Sequence, residues 1–300
     1  MDASEFGLTA ARGVQIAASL SAFGIVVFWS AVAPPVLQGP MRGRIEDGFR
    51  RMFRASVAVA VVAGLVWLVA QAAFMAEAET MADGAAAVWP VLTDTHFGHV
   101  LGARLFLLAL STPVLGDGAN GGRRVLAAVM AGLALVLHIW STHAAAAGGI
   151  DGTILLGAES LHLMAAGSWL GSLVPLFMAV GALSPDQGAR AAQRFSPLGM
   201  LCVTILAGAA LAQSWILIGG LAGLFGTDYG RVALAKLALL LVLLAFAAAN
   251  RFRYAPAMHG PAGTDAKRRL RLSIAVETGI GLAAVLAASL LADLPPALHP

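Results

Sequence analysis

The chain has 300 residues, 59% of them hydrophobic and only 12% charged, with a formal net charge of +3. Soluble domains carry roughly 25% charged residues, so this composition excludes a water-soluble enzyme. It also excludes a nucleic-acid binder, because only two of the nineteen basic residues are lysines and most arginines fall in short gaps between apolar runs. A single cysteine excludes an intrachain disulfide, a CxxC pair and a thiolate metal site within one chain.

A helix needs about 20 apolar residues to cross the hydrocarbon. Eight such runs follow one another, at 8–33, 54–76, 97–115, 124–144, 153–180, 197–220, 230–250 and 270–292. The fold class is therefore an all-α polytopic membrane protein of eight transmembrane helices, forming one integral membrane domain over 1–300. Pro34-Pro35 closes the first run, and Pro295-Pro296 follows the last. The first run opens with Asp2 and Glu5 and lacks a basic start, so it reads as a span and not as a signal peptide.

Fifteen of the nineteen positive charges fall in the odd-numbered connections. Arg42, Arg44, Arg50, Arg51 and Arg54 crowd the first, Arg123 and Arg124 the third, and Arg190 and Arg194 the fifth. Arg251, Arg253, Lys267, Arg268, Arg269 and Arg271 fill the seventh. The even connections are acidic or neutral, with Glu77, Glu79, Asp83, Asp94, Asp151 and Asp228. By the positive-inside rule the odd connections are cytoplasmic and both termini periplasmic.

Spans three and seven open alike. Thr95-His96-Phe97-Gly98 runs on to Arg104, and Thr227-Asp228-Tyr229-Gly230 runs on to Lys236. Spans one and five match more loosely, Arg12 to Gln15 and Ser21 to Gly24 against Glu159 to His162 and Ser168 to Gly171. Four spans per unit preserve orientation, so this reads as a parallel duplication with halves 1–150 and 151–300.

Ionisable side chains in a span cost about 2.5–3.5 kcal/mol or more and face the bundle interior or water. Arg12, Arg104, Lys236, Glu159, Glu277, His99, His138 and His162 all fall in or near spans. Five of the seven histidines (His96, His99, His138, His143 and His162) belong to the outer half of spans three to five, where they can converge. Glu159 and His162 have the Glu-x-x-His spacing that bundle metal sites use, whereas His138 and His143 diverge by about 140° on a helix. Met75, Met81 and Met164 lie toward the same region. Imidazole and thioether without thiolate suit copper better than hard cations. Each residue has a plainer reading: a lone histidine joins helices, a methionine such as Met164 fills the core, Cys202 packs, Arg104 and Lys236 pair with Glu159 or carbonyls, and Glu277 is a structural hydrogen-bonder.

The stretch His143-Ala144-Ala145-Ala146 with Glu159 to Ala166 and Trp169-Leu170-Gly171 resembles the CopD/PcoD family of bacterial inner-membrane copper proteins. Arg194-Phe195-Ser196, Thr227-Asp228-Tyr229-Gly230 with Lys236, Asn250-Arg251, Glu277 and Leu294-Pro295-Pro296 continue the resemblance across nearly the whole chain. The resemblance implies eight spans, a periplasmic CopC-like copper-binding partner and movement of copper from periplasm to cytoplasm. It also places His143 and His162 where that family's recurrent histidines stand. No fused CopC-like domain and no methionine-rich loop are expected from these 300 residues, and His99 rests on placement alone.

The expected function is copper transport or delivery at the inner membrane. His143 and His162 would hold copper(I) in preference to copper(II), with His99, His138 or Glu159 completing the site. His96, Arg104, Lys236, Glu277, Met75 and Met81 would be accessory. No Walker A sequence is present, and no enzymatic activity is expected. The alternatives are a b-type haem electron-transfer protein ligated by His138 or His143 with His162, and a copper-loading assembly factor or sensor.

Overall fold

In the computed structural model, residues 3–141, 149–218 and 221–291 are described, and among them there is no strand. The helices are α1 (Ala3–Ala31), α2 (Met41–Met75), α3 (Met81–Asp94), α4 (His96–Val114), α5 (Gly121–Val136), α6 (Gly149–Ala182), α7 (Pro185–Ile218), α8 (Leu221–Gly226), α9 (Asp228–Ala249) and α10 (Gly263–Leu291). All but α3 and α8 are long and apolar enough to cross a membrane, α5 together with the 3-10 turn that continues it, which gives the eight spans expected.

Three features depart from the sequence reading. The arginines of the first and fifth connections are helical, because α2 begins at Met41 and α7 at Pro185. Arginine is a good helix former, so the spans simply continue beyond the apolar stretch. Two of the acidic connections contain the helices α3 and α8. These were hidden because α3, at 14 residues, is too short to span and carries Gly84 and Pro90 inside it. Span four also ends as a 3-10 turn, Leu137–Ser141. The helical phase assumed for His138 and His143 therefore does not hold past Val136, and His143 lies outside the described residues.

The spans are held apart from water in the inverse sense of a soluble protein. Val59, Val62, Leu65, Val66 and Val69 of α2 are exposed, as are Leu237, Leu241 and Val242 of α9. This is what hydrocarbon-facing surface requires. Inside, Phe28 and Trp29 of α1 pack on Phe49 of α2 with ring centroids 5.7 and 6.0 Å apart. Trp169 and Leu173 of α6 join the same core. At the arginine-rich end Lys267 Nζ donates to the carbonyls of Gly181 (3.0 Å) and Leu183 (2.6 Å), which closes the otherwise orphaned end of α6.

The same pairings recur in the two halves. The first span packs on the second as the fifth on the sixth, the third on the fourth as the seventh on the eighth, and the first on the fourth as the fifth on the eighth. The starts of α4 and α9 agree atom for atom. Thr95 Oγ1 donates to the Val91 carbonyl (2.6 Å) and accepts from Gly98 N (3.0 Å). Thr227 Oγ1 donates to the Gly223 carbonyl (2.7 Å) and accepts from Gly230 N (3.0 Å).

Between the halves, α1 crosses α6 at glycine. A Cβ on Gly24 would lie 2.4 Å from the Gly167 carbonyl oxygen, and one on Gly171 would lie 2.1 Å from the Leu20 carbonyl oxygen. Gly24 and Gly171 share a separation of 147 residues with Leu20 and Gly167, so the contact is reciprocal. Such backbone approach needs the absence of a side chain. Ser172 Oγ adds a bond to the Gly24 carbonyl at 2.9 Å.

Candidate functional site

Among the described residues, three groups of polar side chains bear on function, one in the first half and two in the second. The first is built on Arg104. Thr95 caps α4, and at 1.5 Å per residue Arg104 then lies about 12 Å below the helix start. It is 1% exposed, so it points into the bundle. Its guanidinium donates to Gln15 Oε1 of α1 (2.6 Å) and to the Ala134 carbonyl of α5 (3.1 Å). It also lies over the Trp67 ring of α2, 5.9 Å from the centroid. His138 is buried edge-on against the other side of this assembly, 6.2 Å from the Trp67 ring.

The second group occupies the corresponding depth of the other half. Glu159 and His162 of α6 are half-buried on one face, as their spacing requires. Gln213 Nε2 of α7 donates to Glu159 Oε2 at 3.2 Å. Lys236 of α9, about 12 Å below its own helix start, lies within electrostatic reach of both Glu159 and His162, and Tyr229 within reach of Glu159. The ring nitrogen Nδ1 of His162 is buried without a hydrogen-bond partner. In the tautomer protonated on Nε2, its lone pair is available to a ligand.

The third group lies toward the arginine-rich end. Glu277 of α10 is 1% exposed and accepts a bond from Asn250 Nδ2 at 2.9 Å. Asn250 opens a π-helical turn, Asn250–Tyr254. Arg251 in the same turn is held by Ser196 Oγ. A cavity of about 360 Å³ adjoins these residues, walled by Trp169, Phe195, Leu244 and Ile274.

The expected outer histidines take different places among the described residues. His96 and His99 are exposed. His99 Nε2 meets the Thr93 carbonyl at 2.6 Å, closing the α3–α4 corner, and His96 lies against Trp140. Met75 and Met81 are exposed at the same end, Met81 almost completely. Among the described residues no three His, Cys, Asp or Glu side chains come together as a metal site. Glu159 and His162 contribute two such groups, and His143 lies outside the described residues.

Gln15, Trp67, Gln213 and Asn250 were missed by the sequence reading. Gln15 had a signal, since it stands opposite His162 in the loose alignment of spans one and five. Trp67 had none, because an indole in an apolar span looks like filling.

Comparison with known proteins bears on what these groups serve. Residues 1–153 match the family described as copper resistance protein D-like, N-terminal domain, and residues 189–291 match copper resistance protein D. Copper resistance protein D of Pseudomonas syringae pv. tomato is 26% identical over 257 residues, covering 81% of this chain and 82% of the relative. The inner membrane protein YebZ of Escherichia coli (strain K12) is 23% identical over 295 residues, covering 97% of this chain and 99% of the relative. No solved structure matches. With the first match spanning more than half of its length and the second its last spans, this eight-span chain belongs to the copper resistance protein D family, and its role is in copper resistance at a membrane.

Proposed function

We propose that the protein carries copper across the bacterial inner membrane from periplasm to cytoplasm, and that the entry site is the face of α6 bearing Glu159 and His162. The observation that carries this reading is the unpartnered His162 Nδ1 inside a span, on the same helix face as Glu159. Burying polar groups without partners is costly, and a ligand that binds there offsets the cost. Imidazole with a few further donors suits copper(I), which accepts two or three ligands, and His143 is the expected second imidazole. Lys236 supplies a built-in positive charge to Glu159, which keeps the carboxylate tolerable before metal arrives.

The arginine-rich end is taken as cytoplasmic and the end bearing α3 and α8 as periplasmic. A relative described as an inner membrane protein supports that membrane as the location. A periplasmic copper-binding protein of the CopC kind is the expected donor, delivering to the rim formed by α3, α4 and α8. The two halves are read as a parallel duplication in which His162 and Lys236 take the places of Gln15 and Arg104. Recurrent helix pairing, the matched Thr95 and Thr227 caps and the reciprocal glycine contact support it.

The test is copper flux into proteoliposomes loaded with a copper(I) chelator. Wild-type protein should fill the lumen faster than empty vesicles, and His162→Ala should abolish the difference. Equal filling of wild-type and empty vesicles would refute transport.

A further inference from the structure

The group around Glu277 plays no part in the copper reading, yet it borders a cavity of about 360 Å³. Small-molecule sites typically measure about 300–1,000 Å³. Apolar side chains of α6, α7, α9 and α10 make most of the wall, with the rings of Trp169 and Phe195 among them. The lining also includes Met200 of α7 and Ala248 of α9, both exposed on the surface that faces hydrocarbon. The mouth therefore lies between α7 and α9, and a ligand reaches it from the bilayer.

Glu277, Asn250, Arg251 and Ser196 all line this one cavity. Glu277 is held by Asn250 Nδ2 at 2.9 Å and by the Trp169 side chain, both neutral donors. Donation through Nδ2 fixes the orientation of the amide and leaves Asn250 Oδ1 buried without a partner. Native interiors rarely leave such an atom unpaired, and a ligand with a hydroxyl donor satisfies it. Arg251 donates to Ser196 Oγ and carries further N–H groups for an acceptor. Among the described residues, Glu277 and Arg251 are the only charged side chains lining the cavity, and their charges are opposite. An ion therefore gains little there over a neutral molecule. An acyl chain suits the walls but leaves Asn250 Oδ1 unpaired.

We propose that this cavity binds a hydroquinone carried on a lipophilic tail. A hydroxyl both donates and accepts, so one end of the ring can donate to Asn250 Oδ1 while the other accepts from Arg251. The aromatic walls favour a ring in edge or offset contact, and the tail leaves between α7 and α9. An ether or an oxidised quinone offers acceptors only and cannot satisfy Asn250. The inference stands whether or not copper is the cargo of the Glu159–His162 face.

The test is anaerobic calorimetric titration of the purified full-length protein in detergent with decylubiquinol, protein-free micelles being subtracted. Wild type should bind about one molecule per chain saturably. The bis-methyl ether of the same compound keeps ring and tail without a donor, and should bind about tenfold more weakly. Ala247→Phe fills the cavity from its α9 wall and leaves the polar end in place, and should abolish binding. Should that variant fail to fold, the quinol and its ether on wild type decide the matter. Absence of saturable binding in the wild type would overturn the proposal, as would equal affinity for the ether or unchanged binding in Ala247→Phe. Displacement of the quinol by an equal concentration of phosphatidylglycerol would make the cavity a lipid-tail groove and overturn it too.

Discussion

Replacing Gly171 by alanine tests how tightly the two halves are joined. A Cβ at that position would lie 2.1 Å from the Leu20 carbonyl oxygen and 3.0 Å from the Gly24 Cα. Ordinary carbon–oxygen contact is about 3.4 Å, so α1 and α6 must separate by roughly 1 Å, and backbone atoms cannot rotate away as a side-chain end can. A gap of that size forfeits about a quarter to a half of each pairwise dispersion contact along the crossing. It also stretches the Ser172 bond to the Gly24 carbonyl, now 2.9 Å. Overpacking typically costs about 1–3 kcal/mol, and the fixed backbone puts Gly171→Ala at the top of that range. Gly157→Ala on the same helix is the control, because nothing lies within 4 Å of its Cβ. That change should be neutral or stabilise by a few tenths of a kcal/mol, up to about 1. Gly24→Ala opens the same crossing, so the double variant should cost clearly less than the sum of the singles. Thermal unfolding of the purified variants in detergent measures all four. A melting temperature for Gly171→Ala indistinguishable from that of Gly157→Ala would refute the close crossing.

Three further outcomes are expected. Gln15→Leu removes the acceptor of a buried guanidinium bond and should cost about 1.5–3 kcal/mol, seen as a lowered unfolding midpoint with no loss of helix at low temperature. Thr95→Val and Thr227→Val each lose an N-cap and should each cost about 1 kcal/mol; hydrogen exchange should rise in the first turn of α4 and α9 respectively, and a response confined to one helix would count against the duplication. A phosphatase reporter fused after Pro300 should be active, because the acid-rich end is expected to be periplasmic; an inactive fusion of intact protein would reverse the proposed orientation.

Hydropathy made the spans legible because a membrane demands about 20 apolar residues and little else supplies them. The short helices α3 and α8 were not, since neither is long enough to span. Among the site residues, the Glu159–His162 pair could be read from spacing on a helix of known phase. His96 and His99 could not, because phase relative to the bundle depends on how the α3–α4 corner turns. That corner is set by Gly98, whose Cβ would lie 2.1 Å from the Val91 carbonyl, and by Thr95. The turn directs both histidines outward. Arg104 was legible as an interior charge but its partners were not, for Gln15 is 89 residues away in sequence. The proposed duplication rests in the sequence on two short motifs, and the close crossing at Gly24 and Gly171 emerges only in three dimensions.

The most direct test of the copper reading is the copper(I) content of purified protein, measured with stability on the same preparations. Wild type, His162→Ala, Glu159→Gln and the His143/His162 double alanine variant should be equilibrated with a copper(I) chelator of known affinity. Wild type should retain about one copper per chain. His162→Ala should retain none while its unfolding midpoint stays close to that of the wild type. Glu159→Gln should bind more weakly, and His259→Ala, whose ring meets Asp186 Oδ1 at 2.9 Å outside the candidate site, should bind as wild type does. Full copper retention in the His143/His162 double variant would contradict the assignment, as would a His162→Ala protein that loses stability but keeps its copper.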